Sequence, residues 1–361
     1  MTLWPYIRVY LLNTIYNRSG VFGVSFGNTF KANPKYFYLL LRSLGHLSRR
    51  KTVFCIPNRP AVHDYCRALI KSKGLKEKDI AYVSTLVHAG NQSALPNVYV
   101  DPIKILARAA SLFRKKKAGT RFYHDIVNRF FLEGYVMTIG FVWFLKLIQP
   151  KTIYVVNWYN LYPLVIAANK LGIPIYDVQH GIIYPRHYGY NLNNGDFPMA
   201  IPQKFVLWDG LFSDSINYNG LFDFEVHSRD LVNRRNVGGK RKALIASQYS
   251  ISDLMREELL NQKEFLKTFD LVVLRLHPKE LDQKLNGVHE FLVKMGLSNV
   301  EISLPSEIPF ETDLETASCV IGVYSTCLID SIEAGVDTYI LQVEGYDNLS
   351  PYFERENCKL L

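Results

Sequence analysis

Along most of the chain, short apolar runs alternate with longer stretches in which apolar positions recur every three or four residues. Runs at 21–26 (VFGVSF), 51–56 and 80–85 predict strands. Helices are expected over 34–47 and 61–73, the second closed by Gly74. The alternation resumes near residue 151, with strands at 151–156, 175–178 and 205–208 and a helix over 162–171 closed by Gly172-Ile173-Pro174. Between the two series, 130–148 reads as a core helix. It is apolar on most sides, but Glu133, Gly134 and Lys146 make a membrane span costly. The stretch 184–202 is rich in Tyr, Asn, Gly and Pro and has no period; a loop that long in a compact domain is usually functional.

Residues 226–241 are polar and charged, and Gly238-Gly239 can hinge. A second series then predicts strands at 242–247, 271–276, 300–303, 319–323 and 338–342, with helices over 251–268, 280–295 and 326–335. Strand–helix alternation of this kind implies parallel sheets covered by helices. The expected fold is therefore α/β, with two Rossmann-like domains facing a cleft. The domains are 1–228, 240–345 and a terminal segment, 346–361, able to cross back to the first.

A length of 361 residues accommodates two domains, and 48% hydrophobic with 21% charged residues is ordinary for a folded chain. The net charge of +9 favours anionic partners. Five cysteines (Cys55, Cys66, Cys319, Cys327, Cys358) are odd in number and widely spaced, so neither a disulfide framework nor a zinc site is expected. A reducing cytoplasm fits that usage. Residues 103–120 form a basic amphipathic helix that faces either solvent or an anionic membrane surface. It lacks spaced aromatics, so nucleic acid is not an expected partner. The opening MTLWPYIRVYLLNTIY is either a buried first element or a membrane-surface segment carrying Trp4, Tyr6 and Tyr10. The expected location is cytoplasmic, with peripheral attachment to the inner membrane face as an alternative.

Two stretches carry the candidate chemistry. Leu274-Arg275-Leu276-His277-Pro278 and the run from Gly322 to Gly335 each start as a strand and deliver polar groups where the strand ends. Ligands of open α/β sheets bind beyond those ends. Ser325 and Thr326 would open a helix whose free N–H groups attract a phosphate, with His277 one loop away. Glu333, further along that helix, could accept from a ribose. In the first half, Asp177-Val178-Gln179-His180-Gly181 would present His180 at the sheet edge, with Gly181 permitting the turn. His180 there could act as a base, oriented by Asp177 if the strand ends between them. His187 and Tyr190 either order the following loop or line an acceptor site. Neither G-x-G-x-x-G nor a Walker lysine loop occurs, and no His/Cys/Asp/Glu grouping has metal spacing. No cofactor and no metal are expected.

His277-Pro278 followed about 48 residues later by Ser325-Thr326 resembles the His-Pro and Ser/Thr motifs of bacterial GT-B glycosyltransferases that use CMP-sugars, such as sialyltransferases and Kdo transferases. Gln179-His180-Gly181 resembles the His-Gly motif of CDP-glycerol glycerophosphotransferases. The resemblance implies donor contacts from His277, Pro278, Arg275, Ser325, Thr326 and Glu333. It places Gln179, Gly181, His187 and Tyr190 on the acceptor side. The base is open between His180 and Asp177, and a retaining enzyme would instead use Asp177, Asp196 or Asp209 as nucleophile. The implied function is sugar transfer from a nucleotide-sugar donor, CMP-linked, to a glycan or lipid-linked glycan of a bacterial surface polysaccharide. The alternatives are a UDP-sugar donor, transfer of a polyol phosphate from CDP-glycerol or CDP-ribitol, and a glycan-binding module without enzymatic activity.

Overall fold

A computed structural model describes residues 52–56, 60–84, 99–100, 122–185, 187, 189–191, 200–217, 222–228, 239–278, 280 and 285–361. The strand expected at 21–26, the helices expected at 34–47 and 103–120, the N-terminal aromatic segment and Asp196 lie outside these residues. The chain divides into two compact units, Met1–His180 with Pro185–Arg229, and Gly181–Tyr184 with Asp230–Leu361.

Among the described residues, the first unit holds seven strands: β1 (Thr52–Ile56), β2 (Ile80–Ser84), β3 (Tyr99–Val100), β4 (Thr152–Val156), β5 (Ile175–Val178), β6 (Lys204–Leu207) and β7 (Asp223–Val226). Their order is β3-β2-β1-β4-β5-β6-β7, and every pairing is parallel. A parallel sheet is covered on both faces, which is why β4, β5 and β6 bury nearly every residue instead of alternating. Helix α1 (Pro60–Ser72) ends at Gly74, whose φ of +60° is the left-handed cap conformation. Helix α2 (Phe122–Ile148) packs on α3 (Tyr162–Lys170). At Gly134 the two approach so closely that an added Cβ would collide with the Tyr162 phenol.

The second unit holds β8 (Lys242–Ala246), β9 (Leu271–Arg275), β10 (Val300–Ser303), β11 (Cys319–Gly322), β12 (Asp337–Ile340) and β13 (Cys358–Leu360). Their order is β10-β9-β8-β11-β12-β13, again all parallel. Its helices are α4 (Ser252–Asn261), α5 (Lys263–Leu266), α6 (Leu285–Met295), α7 (Phe310–Glu315) and α8 (Thr326–Glu333). The single helix expected over 251–268 is divided, because Gln262 leaves helical geometry at φ −90° and ψ 15°. The segment 346–361 belongs to the second unit. It turns through Tyr346–Tyr352 and adds β13 beside β12, with Thr338 opposite Cys358. Both sheets share the 3-2-1-4 strand order. Its reversal creates a crevice beyond the carboxyl ends of β1 and β4 in one unit, and of β8 and β11 in the other.

Candidate functional site

In the second unit, β9 and β11 flank β8. His277 follows β9 and Ser325 follows β11, so they lie at one edge of the sheet, beyond the ends of strands two spacings, about 10 Å, apart. The sequence reading named the two sides of this edge and missed its middle. The loop Ser247-Gln248-Tyr249-Ser250 after β8 fills the gap and touches both sides. The Gln248 Oε1 accepts from the Tyr324 backbone N–H at 3.3 Å, and the Ser250 and Tyr324 hydroxyls are 3.1 Å apart. On the other side, the Tyr249 ring lies 6.2 Å from the His277 ring. The signal for this loop was topological, since the loop after the first strand of such a sheet always lies at the switch point.

Ser325 is the N-cap of α8. Its extended backbone (φ −79°, ψ 150°) lets its Oγ accept from the Cys327 N–H at 3.3 Å. Gly322 lets α8 sit low on the sheet, because a Cβ there would press on the Leu328 side chain and the Ala246 carbonyl, at 3.1 and 3.2 Å. His277 is held through its backbone. Its N–H donates to the Glu280 Oε2 at 2.8 Å, and its carbonyl accepts from the Glu280 N–H at 2.8 Å. Glu280 is fully buried, and its Oε1 receives the Arg256 guanidinium at 2.7 Å. Pro278 is exposed on the same turn.

Arg275 does not project to this edge with His277. It is buried, and its Nη1 donates to Ser303, the Ile308 carbonyl and Asp313, the last at 2.8 Å. Its role is to tie β9 to the segment after β10, and the donor contact expected of it is not supported by this placement. Glu333 accepts from the Tyr352 hydroxyl at 3.1 Å, which fastens the terminal segment to α8.

In the first unit, His180 stands two residues beyond β5. Asp177 was the other candidate base, but it is 1% exposed. Its oxygens accept from the Trp158 N–H at 3.0 Å and the Tyr190 hydroxyl at 2.6 Å. Burial pushes this carboxyl up to about 7, and those hydrogen bonds oppose the shift. A carboxyl enclosed this way cannot reach an acceptor or a sugar, so neither base nor nucleophile fits. Asp209 likewise caps a short helical turn, accepting from the Leu211 N–H at 3.0 Å.

Tyr190 is buried with Asp177 and is not an acceptor-facing residue. Gln179 is also buried, and its Oε1 accepts from the Trp208 N–H at 2.8 Å, joining the ends of β5 and β6. Gly181 has no positive φ, and its surroundings would accommodate a Cβ, so the turn does not require glycine. The glycine that matters is Gly189, where a Cβ would run into the Tyr159 ring. His187 lies 5.6 Å from the Tyr159 ring and 4.9 Å from the Tyr190 ring, and its Nδ1 accepts from the Gly189 N–H at 3.1 Å. Burial, reinforced by the neighbouring His180, pushes His187 down to about 3. His187 is therefore neutral, with its proton on Nε2.

Asn157, at the end of β4, is a further residue that sequence reasoning missed. Its φ of 72° is left-handed, which asparagine tolerates, and its Oδ1 is buried without a hydrogen-bond partner. It lies at the switch point of the first sheet, where a ligand donor could satisfy it. Among the described residues, no group of His, Cys, Asp and Glu is arranged to hold a metal ion.

No family model matches the chain, and no curated protein sequence matches it. Solved structures do. MurG of Acinetobacter baumannii is 12% identical with a TM-score of 0.52, the match covering 86% of this chain and 85% of MurG. The lipopolysaccharide outer core galactosyltransferase WaaB is 10% identical with a TM-score of 0.51, over 86% of each chain. A putative UDP-N-acetylglucosamine 2-epimerase from Listeria monocytogenes is 14% identical with a TM-score of 0.54, over 86% of this chain and 84% of its own. Identity this low speaks to the fold alone. The chain has two Rossmann-like domains of the GT-B type.

Proposed function

We propose that the protein is an inverting, metal-independent glycosyltransferase that takes a sugar from a CMP-linked donor and places it on a glycan of a bacterial surface polysaccharide. One observation carries this reading: His277 and the hydroxyl-capped start of α8 flank β8 at the switch point of the second sheet. A helix N-terminus with free N–H groups, a Ser and a Thr hydroxyl and an imidazole together suit a nucleotide phosphate. His277 donates to the phosphate charge that grows as the glycosidic bond breaks. In the first unit His180 takes the proton of the acceptor hydroxyl, and Asn157 offers that hydroxyl's neighbours an acceptor. The inverting mode is supported by Asp177 and Asp209, two of the three candidate nucleophiles, whose side chains hold backbone.

A UDP-linked donor is the second reading, favoured by the likeness to the Listeria UDP-N-acetylglucosamine 2-epimerase. That likeness also means that the fold alone does not separate transfer from epimerisation. The deciding experiment is a panel of CMP-, UDP- and CDP-linked donors with glycan acceptors, read by mass spectrometry. A sugar gained by the acceptor supports transfer. Phosphorus in the product would select polyol-phosphate transfer, and an epimerised donor without acceptor would select epimerisation. Glycan affinity without nucleotide affinity would leave only a binding module.

A further inference from the structure

The outer face of α2 carries a feature that sugar transfer does not use. Its inner face, Gly134, Met137, Phe141, Leu145 and Ile148, is buried against the body of the unit. Its outer face should then be polar, as it is on a surface helix of a soluble domain. Instead Tyr135, Ile139, Trp143 and Leu147 are exposed by 67%, 41%, 71% and 57%. Their four-residue spacing aligns them as one ridge about 18 Å long. Large exposed apolar patches mark interaction sites.

Charge identifies the partner. From Gly134 to Tyr176 the chain contains no acidic residue and three lysines, Lys146, Lys151 and Lys170. All three are exposed. Lys146 lies beside Leu147 on α2, and Lys151 and Lys170 precede the starts of β4 and β5, which pair directly. The lysines thus collect at one end of the ridge, at the amino edge of the sheet. An apolar ridge containing Trp and Tyr, with lysines at one end and no carboxylate in the sequence from Gly134 to Tyr176, matches an anionic bilayer. The apolar side chains enter the interface and the ammonium groups meet lipid phosphates.

We propose that the α2 ridge docks the protein on an anionic lipid surface. This differs from the contacts expected of the N-terminal segment and of residues 103–120, and it does not depend on the proposed chemistry.

The test is sedimentation of the full chain with vesicles of phosphatidylglycerol and phosphatidylethanolamine, against pure phosphatidylcholine, in 0.1 M salt. We expect binding to the anionic vesicles that weakens at high salt. The double variant Ile139→Ser/Trp143→Ser should reduce it at least tenfold, and Lys146→Glu/Lys151→Glu/Lys170→Glu should abolish the preference for anionic lipid. Both variants should keep the wild-type unfolding temperature. Absence of vesicle binding, or binding that the double variant leaves unchanged, overturns the proposal. So does a wild-type dimer in light scattering that the double variant dissociates, which assigns the ridge to a second copy. A large fall in unfolding temperature also overturns it, because the ridge would then be covered by the chain itself.

Discussion

Glu280, with no exposed surface, holds the backbone N–H of His277 at 2.8 Å and so fixes where that imidazole stands. Its other oxygen is taken by Arg256, making a buried ion pair whose two ends come from α4 and the β9 turn. Both partners of Glu280 are donors, so glutamine cannot replace it, since its amide N–H group would face one of them. Glu280→Ala leaves the buried Arg256 charge with only the exposed Asp253 carboxylate at 3.4 Å, a change that costs about 3 kcal/mol. We expect faster hydrogen exchange across α4 and the His277 turn, together with weaker nucleotide binding. A cycle with Arg256→Met should show strong coupling, the double variant losing much less than the sum. Additive losses would mean that the pair is not formed.

His277→Ala should weaken nucleotide binding by about ten- to a hundredfold, the range of one hydrogen bond to a charged group. Calorimetry with CMP and UDP measures this. Unchanged affinity for every nucleotide would remove His277 from the site.

Ser325 has two separable roles, cap and ligand contact. Ser325→Ala should destabilise α8 by about 1 kcal/mol, whereas Ser325→Gly should cost only a few tenths. If the hydroxyl also meets phosphate, both variants should lose nucleotide affinity equally. An affinity loss that tracks the stability loss would reduce Ser325 to a cap.

The strand edges of the second sheet were legible because strand-ending polar residues follow predominantly apolar runs, as at His277 and Ser325. Glu280 was not, because a glutamate three residues into a polar turn looks solvated until its burial is known. The Ser247–Ser250 loop was hidden for another reason: its importance comes from strand order, which periodicity does not reveal. Asp177 misled in the opposite sense. A carboxylate beside a histidine reads as chemistry, yet in this sheet it satisfies backbone and Tyr190. The edge strands β3, β7 and β13 escaped because two to four residues, partly polar, carry no usable period.

Gly189 lets the Tyr159 ring lie against the backbone, and that ring faces His187. Gly189→Ala must displace the ring, at about 1–3 kcal/mol. With the enclosure opened, His187 should titrate closer to the ordinary histidine range instead of near 3, which proton NMR of its imidazole would follow. Turnover should fall while nucleotide affinity stays constant, because the second unit is untouched.

Asp177 gives the first unit an unusual pH dependence. Folding raises its carboxyl from an ordinary 3.8 to about 7, so the folded chain keeps a proton that the unfolded chain has already released. Stability from this group is therefore greatest below about pH 4, declines as pH rises to about 7, and is level above that. Carboxylates stabilised as anions behave in the opposite way. Asp177→Asn cannot ionise, and it keeps a carbonyl to accept one of the two donors. The stability of wild type relative to this variant should fall steadily from pH 4.5 to pH 7 and then stop changing. Trp4, Trp143, Trp158 and Trp208 all precede residue 229, so tryptophan fluorescence during denaturant unfolding reports this unit alone. A difference between wild type and variant that does not vary with pH would mean that the carboxyl is charged in the folded protein.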